Sequence, residues 1–209
     1  MDETVACIPT PLNLRGFNRN VVLPCGLSTL HVQKAMADFL DFLGFLNQQL
    51  NSRHFGRLES FLMPANFSSM VGEFMASAIP KHCKTLVRNA YHNGHPDLLP
   101  AGKHERDACQ HATEGVEIKA SRHRRGWQGH NAEDTWLMVF VFDANCSRDA
   151  TERVAPRPFR FVKVVGAKLK KADWAFSGRS ATSRRTITAS VTRTGFEKME
   201  ANWIYRDES

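Results

Sequence analysis

The stretch Glu114–Asp143, EGVEIKASRHRRGWQGHNAEDTWLMVFVFD, carries two different strand signals with a basic loop between them. In an extended chain successive side chains point to opposite faces. Val116 and Ile118 therefore share one face, and Glu117 and Lys119 share the other. The alternation marks a half-buried strand. Asp134–Asp143, DTWLMVFVFD, is continuously apolar instead, the pattern of a strand covered on both faces of a sheet. A strand of that kind needs layers above and below it, so the fold class expected is α/β.

The sequence on either side supplies those layers. Met1–Leu27 reads as irregular, broken by Pro9, Pro11 and Pro24. Ser28 is a suitable N-cap. Behind it Val32, Ala35, Met36, Phe39, Leu40, Leu43 and Leu46 recur at helical spacing, with Gly44 weakening the later part. A second helix is predicted from Asn66 or Ser68 to Ile79, ended by Pro80. Lys81–Tyr91 is predicted to continue as a third helix. "PDLLP", from Pro96 to Pro100, is a short extended piece. "RPFRFVKVVGAKL" reads as another strand, "RRTITASVTR" alternates again, and "TGFEKMEANW" reads as a short helix near the end. One domain of 209 residues is expected, with residues 1–92 mainly helical and residues 93–209 forming the sheet.

The chain carries a formal charge of +7. Between Arg153 and Gly195 eleven lysines and arginines stand against Asp173 alone. Ordinary surfaces interleave the two signs, so this run favours a face for a polyanion. The opening MDETVACIPT lacks the basic-then-apolar order of a secretory signal. The longest apolar run is too short to span a bilayer. Five cysteines at irregular spacing fit reduced thiols. The expectation is a cytoplasmic protein with no membrane segment.

The chemistry is expected where Asp97 meets the Glu117–Lys119 pair. Asp97 opens the extended piece that follows Gly94-His95-Pro96. If this piece pairs antiparallel with the strand at 114–121, Asp97 lies beside Glu117. Two adjacent carboxylates repel unless a cation sits between them. Hard oxygen ligands suit Mg²⁺, which keeps several waters and takes other ligands from a substrate phosphate. Lys119 would then orient a water or neutralise charge in the transition state. The reaction implied is hydrolysis of a phosphodiester.

"HPDLLP" followed by "GVEIKAS" resembles the PD-(D/E)xK nuclease motif, and in its details is similar to type II restriction endonucleases. The resemblance implies a restriction-endonuclease-like mixed central sheet flanked by helices. It implies Asp97 and Glu117 as Mg²⁺ ligands, with the Ile118 carbonyl within reach, and Lys119 as the catalytic amine. Many members add an acid from an upstream helix, and Glu73 in "MVGEFMAS" occupies that place.

The DNA-contacting candidates after the catalytic strand are Ser121, Arg122, Arg124, Arg125, Gln128 and His130. Arginine forks suit phosphate, and "GWQGHN" is similar to a segment after the catalytic lysine in some restriction enzymes. Trp127 is left open between stacking and packing. Arg179, Arg184 and Arg185 are the candidates for base or backbone contact ahead of a late strand. A palindromic site would call for a homodimer, with Phe42 and Phe45 of the helical half as interface candidates. The histidines and cysteines from His82 to His111 match no usual zinc spacing. The function expected is a Mg²⁺-dependent, sequence-specific double-strand DNA endonuclease. The alternatives are a structure- or damage-directed nuclease of repair or recombination with the same fold, and a non-catalytic DNA-binding protein.

Overall fold

The computed structural model describes residues 2–129, 132–149, 151–176 and 188–207. The described helices are α1 (Glu3–Ala6), α2 (Thr29–Ser52), α3 (Leu58–Phe61), α4 (Pro64–His82) and α5 (Arg193–Ala201). The described strands are β1 (Leu86–Arg88), β2 (Leu98–Pro100), β3 (Glu117–Ser121), β4 (Gln128–Gly129), β5 (Thr135–Asp143), β6 (Arg160–Leu169), β7 (Trp174–Phe176), β8 (Ala189–Val191) and β9 (Trp203–Arg206). The class is mixed α/β.

The main sheet has the order β3-β5-β6-β9. β3 runs parallel to β5, while β5–β6 and β6–β9 are antiparallel. The continuous apolar run of β5 is explained by two cores, one on each face of this sheet. Trp136, Met138, Phe140 and Phe142 point into the larger core with α2 and α4. Leu137, Val139 and Val141 point the other way, into a core with Trp174, Ala189 and Met199. The second core is roofed by α5 and by a small antiparallel sheet of order β4-β8-β7. A third, two-stranded sheet pairs β1 with β2.

Local signals account for most helix starts. Ser28 caps α2 through its hydroxyl, which accepts from the His31 backbone N–H, while His31 Nδ1 accepts from the Ser28 N–H. Gly44 does not interrupt α2; a Cβ there would sit 3.1 Å from the Pro9 ring, so the missing side chain makes room for the N-terminal segment. α4 starts earlier than the sequence suggests, because Pro64 is preset for the first helical position. It also runs past Pro80 to His82. In the last turn Pro80 forfeits a single backbone bond, and the packed face of α4, with Ile79 fully buried, holds the turn.

Three expectations need correction. The third helix expected over Lys81–Tyr91 does not form; Leu86–Arg88 is β1, because "PDLLP" needs a backbone partner and takes it there. For the same reason the part expected to be helical contains a strand. The N-terminal segment is not wholly irregular, since Glu3–Ala6 is a helical turn capped by Asp2. That turn is tied to the body by Arg57, which is buried. Arg57 donates to Glu3, Glu59 and Asn145 and to the carbonyls of Ala6 and Arg157.

All five cysteines are free thiols. No helix among the described residues is long and apolar enough to cross a membrane. Phe42 and Phe45 are both exposed, and the Phe42 ring lies 4.9 Å from that of Phe74.

Candidate active site

The site forms where the segment before β2 crosses the free edge of β3. Leu98 and Val116 make an antiparallel bridge, exchanging hydrogen bonds of 3.0 and 2.9 Å. One residue outward, this register sets Asp97 opposite Glu117. Gly115 permits the crossing: its φ is +129°, and a Cβ there would lie 2.1 Å from the Leu98 carbonyl oxygen. Asp97 Oδ2 accepts from the Ile118 backbone N–H at 2.8 Å. The N–H and C=O of one strand residue leave by the same edge, so the Ile118 carbonyl faces the Asp97 side. The Ile118 side chain is buried in the larger core, and this fixes Glu117 and Lys119 on the opposite face.

Both oxygens of Glu117 are engaged. Oε1 accepts from Lys119 Nζ at 2.5 Å, and Oε2 lies 3.0 Å from His95 Nδ1. The other nitrogen of His95, Nε2, lies 2.6 Å from Glu133 Oε2. That contact lacks hydrogen-bond alignment and acts through charge and proximity. The Glu117 and His95 side chains are 12% and 16% exposed, so these charges interact at low dielectric. They open onto a cleft of about 990 Å³, also lined by Glu73, Arg88, Tyr91 and Trp174.

Proton affinities follow from this crowding. Burial, together with the Glu117 charge, pushes the Asp97 carboxyl up to about 7. Glu117 moves the other way. Burial opposes its ionisation, but the His95 hydrogen bond and the Lys119 charge outweigh it and bring the carboxyl down to about 2. Burial also works against the Lys119 cation, yet Glu117 and Asp97 raise its pKa. His95 is raised in the same way, with the hydrogen bond and charge of Glu117 and the charges of Glu133 and Asp97 overcoming burial. The cleft thus gathers the acidic side chains of Glu73, Asp97, Glu117 and Glu133 against Arg88 and Lys119, with His95 between two of the acids.

These residues fit Mg²⁺. Acidic side chains outnumber lysine and arginine in the cleft, the donors are hard oxygens, and the raised Asp97 carboxyl is one whose ionised form a neighbouring cation would stabilise. Among the described residues no three His, Cys, Asp or Glu side chains meet as a metal cage. Mg²⁺ needs no such cage, since one or two carboxylates suffice beside waters and substrate phosphate.

The remaining candidates fall in several places. Glu73 lines the cleft, but it is exposed and ion-paired with Arg88; its apolar sequence neighbours Val71 and Met75 are the ones that turn inward. Ser121, at the end of β3, accepts from the His123 N–H. Arg122 donates to the carbonyls of Ala144 and Asn145, and so fastens the end of β3 to the loop after β5. Arg124 and Arg125 are exposed, as is Gln128 on β4. Trp127 packs: it is buried, its ring lies 5.4 Å from that of Phe196, and its Nε1 donates to the His123 carbonyl. His130, Arg179, Arg184 and Arg185 lie outside the described residues.

Much of the basic run from Arg153 to Gly195 is engaged internally. Arg157 pairs with Asp143 and Asp149, Lys163 with Glu200, and Lys168 donates to the carbonyls of Thr113 and Asp134. Of the sulfur and imidazole groups weighed for zinc, His82 pairs with Asp38, and Cys83 is buried at the end of α4 with Sγ 3.1 Å from Thr85 Oγ1. Sequence spacing does not join His95 and Glu133 to the acidic pair, and their convergence on it is a structural finding. No protein-family model matches the chain, and neither does any curated protein.

Proposed function

We propose that this chain is a Mg²⁺-dependent, sequence-specific double-strand DNA endonuclease of the type II restriction kind. It would have the restriction-endonuclease-like fold, work in the cytoplasm, and act as a homodimer on a two-fold symmetric site. One observation carries the reading. Asp97 and Glu117, from separate segments, converge beside Lys119 in a cleft where acidic side chains (Glu73, Asp97, Glu117, Glu133) outnumber lysine and arginine (Arg88, Lys119).

Each residue has a task in phosphodiester hydrolysis. Asp97, Glu117 and the Ile118 carbonyl would hold the ion. When bound, Mg²⁺ stabilises charge on a phosphoryl oxygen and lowers the pKa of a coordinated water. Lys119 is a cation by virtue of its two acidic neighbours. Its amine donates to the attacking water or to the phosphoryl oxygens as negative charge builds. Glu117 holds that amine in place. Arg124 and Arg125, exposed on the loop after β3, face the DNA backbone.

The test is digestion of sequenced phage DNA by the purified chain with Mg²⁺, followed by mapping of the ends. Discrete fragments ending at one recurring sequence are expected. Cutting confined to junctions or mismatches would point to a repair nuclease. DNA that is shifted in Ca²⁺ but never cut in Mg²⁺ would leave only a binding protein.

A further inference from the structure

We infer that His95 and Glu133 form a positioning pair that sets the Glu117 carboxylate for metal binding; this inference rests on the metal-site reading above. Neither residue belongs to the Asp97–Glu117–Lys119 constellation read from the sequence.

The geometry is specific. His95 stands between two carboxylates, with Nδ1 3.0 Å from Glu117 Oε2 and Nε2 2.6 Å from Glu133 Oε2. Its backbone cannot drift, because its N–H donates to the Gln110 carbonyl and its own carbonyl accepts from Ala112. Glu133 is anchored as well: its carbonyl accepts from the Trp174 indole Nε1 at 3.0 Å. Three separate segments thus hold one imidazole against one carboxylate.

This arrangement leaves Glu117 able to bind an ion. An ionised carboxylate offers about four lone-pair sites. Lys119 and His95 take one on each oxygen, and lone pairs remain on both. What the two donors remove is rotation of the carboxyl group. A ligand fixed in orientation binds an ion without first losing rotamer freedom. Glu133 in turn keeps the imidazole from turning away, since His95 has a carboxylate at each ring nitrogen. Partners of this type that orient a metal ligand are worth roughly 10–100-fold in metal affinity.

The experiment is a calorimetric titration of the DNA-free full chain with Mn²⁺, using His95→Ala, Glu133→Gln, His95→Asn and Asp97→Asn, with thermal melting of each variant alongside. His95→Ala is expected to weaken Mn²⁺ binding by roughly 10–100-fold. Glu133→Gln should weaken it in the same direction by less. His95→Asn, whose amide can replace the Nδ1 donor, should recover most of the loss. Wild-type Mn²⁺ affinity in both His95→Ala and Glu133→Gln, or tighter binding in either, would overturn the inference. So would a lowered melting temperature with unchanged affinity, which marks a purely structural role. Should His95→Ala fail to fold, Glu133→Gln decides the matter. Asp97→Asn separates the two claims. If it alone loses Mn²⁺, only the positioning role fails; if it binds as wild type, the metal site itself is wrong.

Discussion

The Asp97 carboxylate accepts a hydrogen bond of 2.8 Å from the backbone N–H of Ile118, the central residue of the Glu117–Lys119 triplet. The bond fixes register and chemistry together. It continues the Leu98–Val116 bridge by one residue, and it brings one acid against another. An asparagine at 97 keeps the acceptor oxygen and removes the charge. Asp97→Asn should therefore fold, bind DNA and fail to cut, as read by gel shift in Ca²⁺ and by cleavage in Mg²⁺. Lys119→Met should lower the cleavage rate by roughly 10²–10⁴-fold, the usual range for a group that handles protons or charge in the transition state.

The pH dependence of stability has a defined sign. The folded Asp97 holds its proton up to about pH 7, whereas in the unfolded chain it ionises near 3.8. Between those values the native state binds more protons than the unfolded one, and stability falls as pH rises. Glu117 acts in the opposite sense but lower down: its contribution is complete above about 4.5 and is lost towards pH 2. His95, with its raised pKa, adds to the loss as pH rises through that value. Metal-free protein should therefore lose stability from about pH 5 to pH 8. Asp97→Asn should show a flatter profile and, at pH 8, a higher melting temperature than wild type.

Metal binding should titrate accordingly. An ion that needs the Asp97 carboxylate must displace its proton below pH 7. Mn²⁺ affinity measured by calorimetry should fall about tenfold per pH unit below that point, with proton release. An affinity flat from pH 5 to 8 would exclude Asp97 as a ligand.

Much of this arrangement is legible in the sequence. The alternation at Val116–Lys119 and the two-faced run of β5 define the sheet, and antiparallel pairing alone brings Asp97 to Glu117. The rest depends on tertiary contacts that leave no periodic mark. A three-residue strand such as β1 has no pattern to read and exists through its partner β2. Arg122 looks like its neighbours Arg124 and Arg125, but its carbonyl partners come from the far end of β5. Glu133 sits in a polar linker and His95 on an isolated bridge to His111, and only folding brings them together.

The arginines of the basic loop should therefore separate by role. Replacing Arg124 and Arg125 with alanine should weaken DNA binding at all sequences and reduce the salt slope by about 0.9 for each phosphate no longer neutralised. Arg122→Ala should instead lower the melting temperature, because it releases the Ala144 and Asn145 carbonyls.

Arg57 tests the architecture apart from the site. It is 1% exposed and pairs with Glu59, which is fully buried. Arg57→Ala leaves that carboxylate without its charge partner and should cost roughly 3–5 kcal/mol of stability in denaturant unfolding. The cleavage rate per folded molecule should be unchanged.

The most direct test is anomalous diffraction from crystals of the chain soaked in Mn²⁺. A peak bound by the Asp97 and Glu117 carboxylates, next to the Ile118 carbonyl and absent from Asp97→Asn crystals, is the predicted result. A saturated crystal with no density between those two carboxylates would contradict the account.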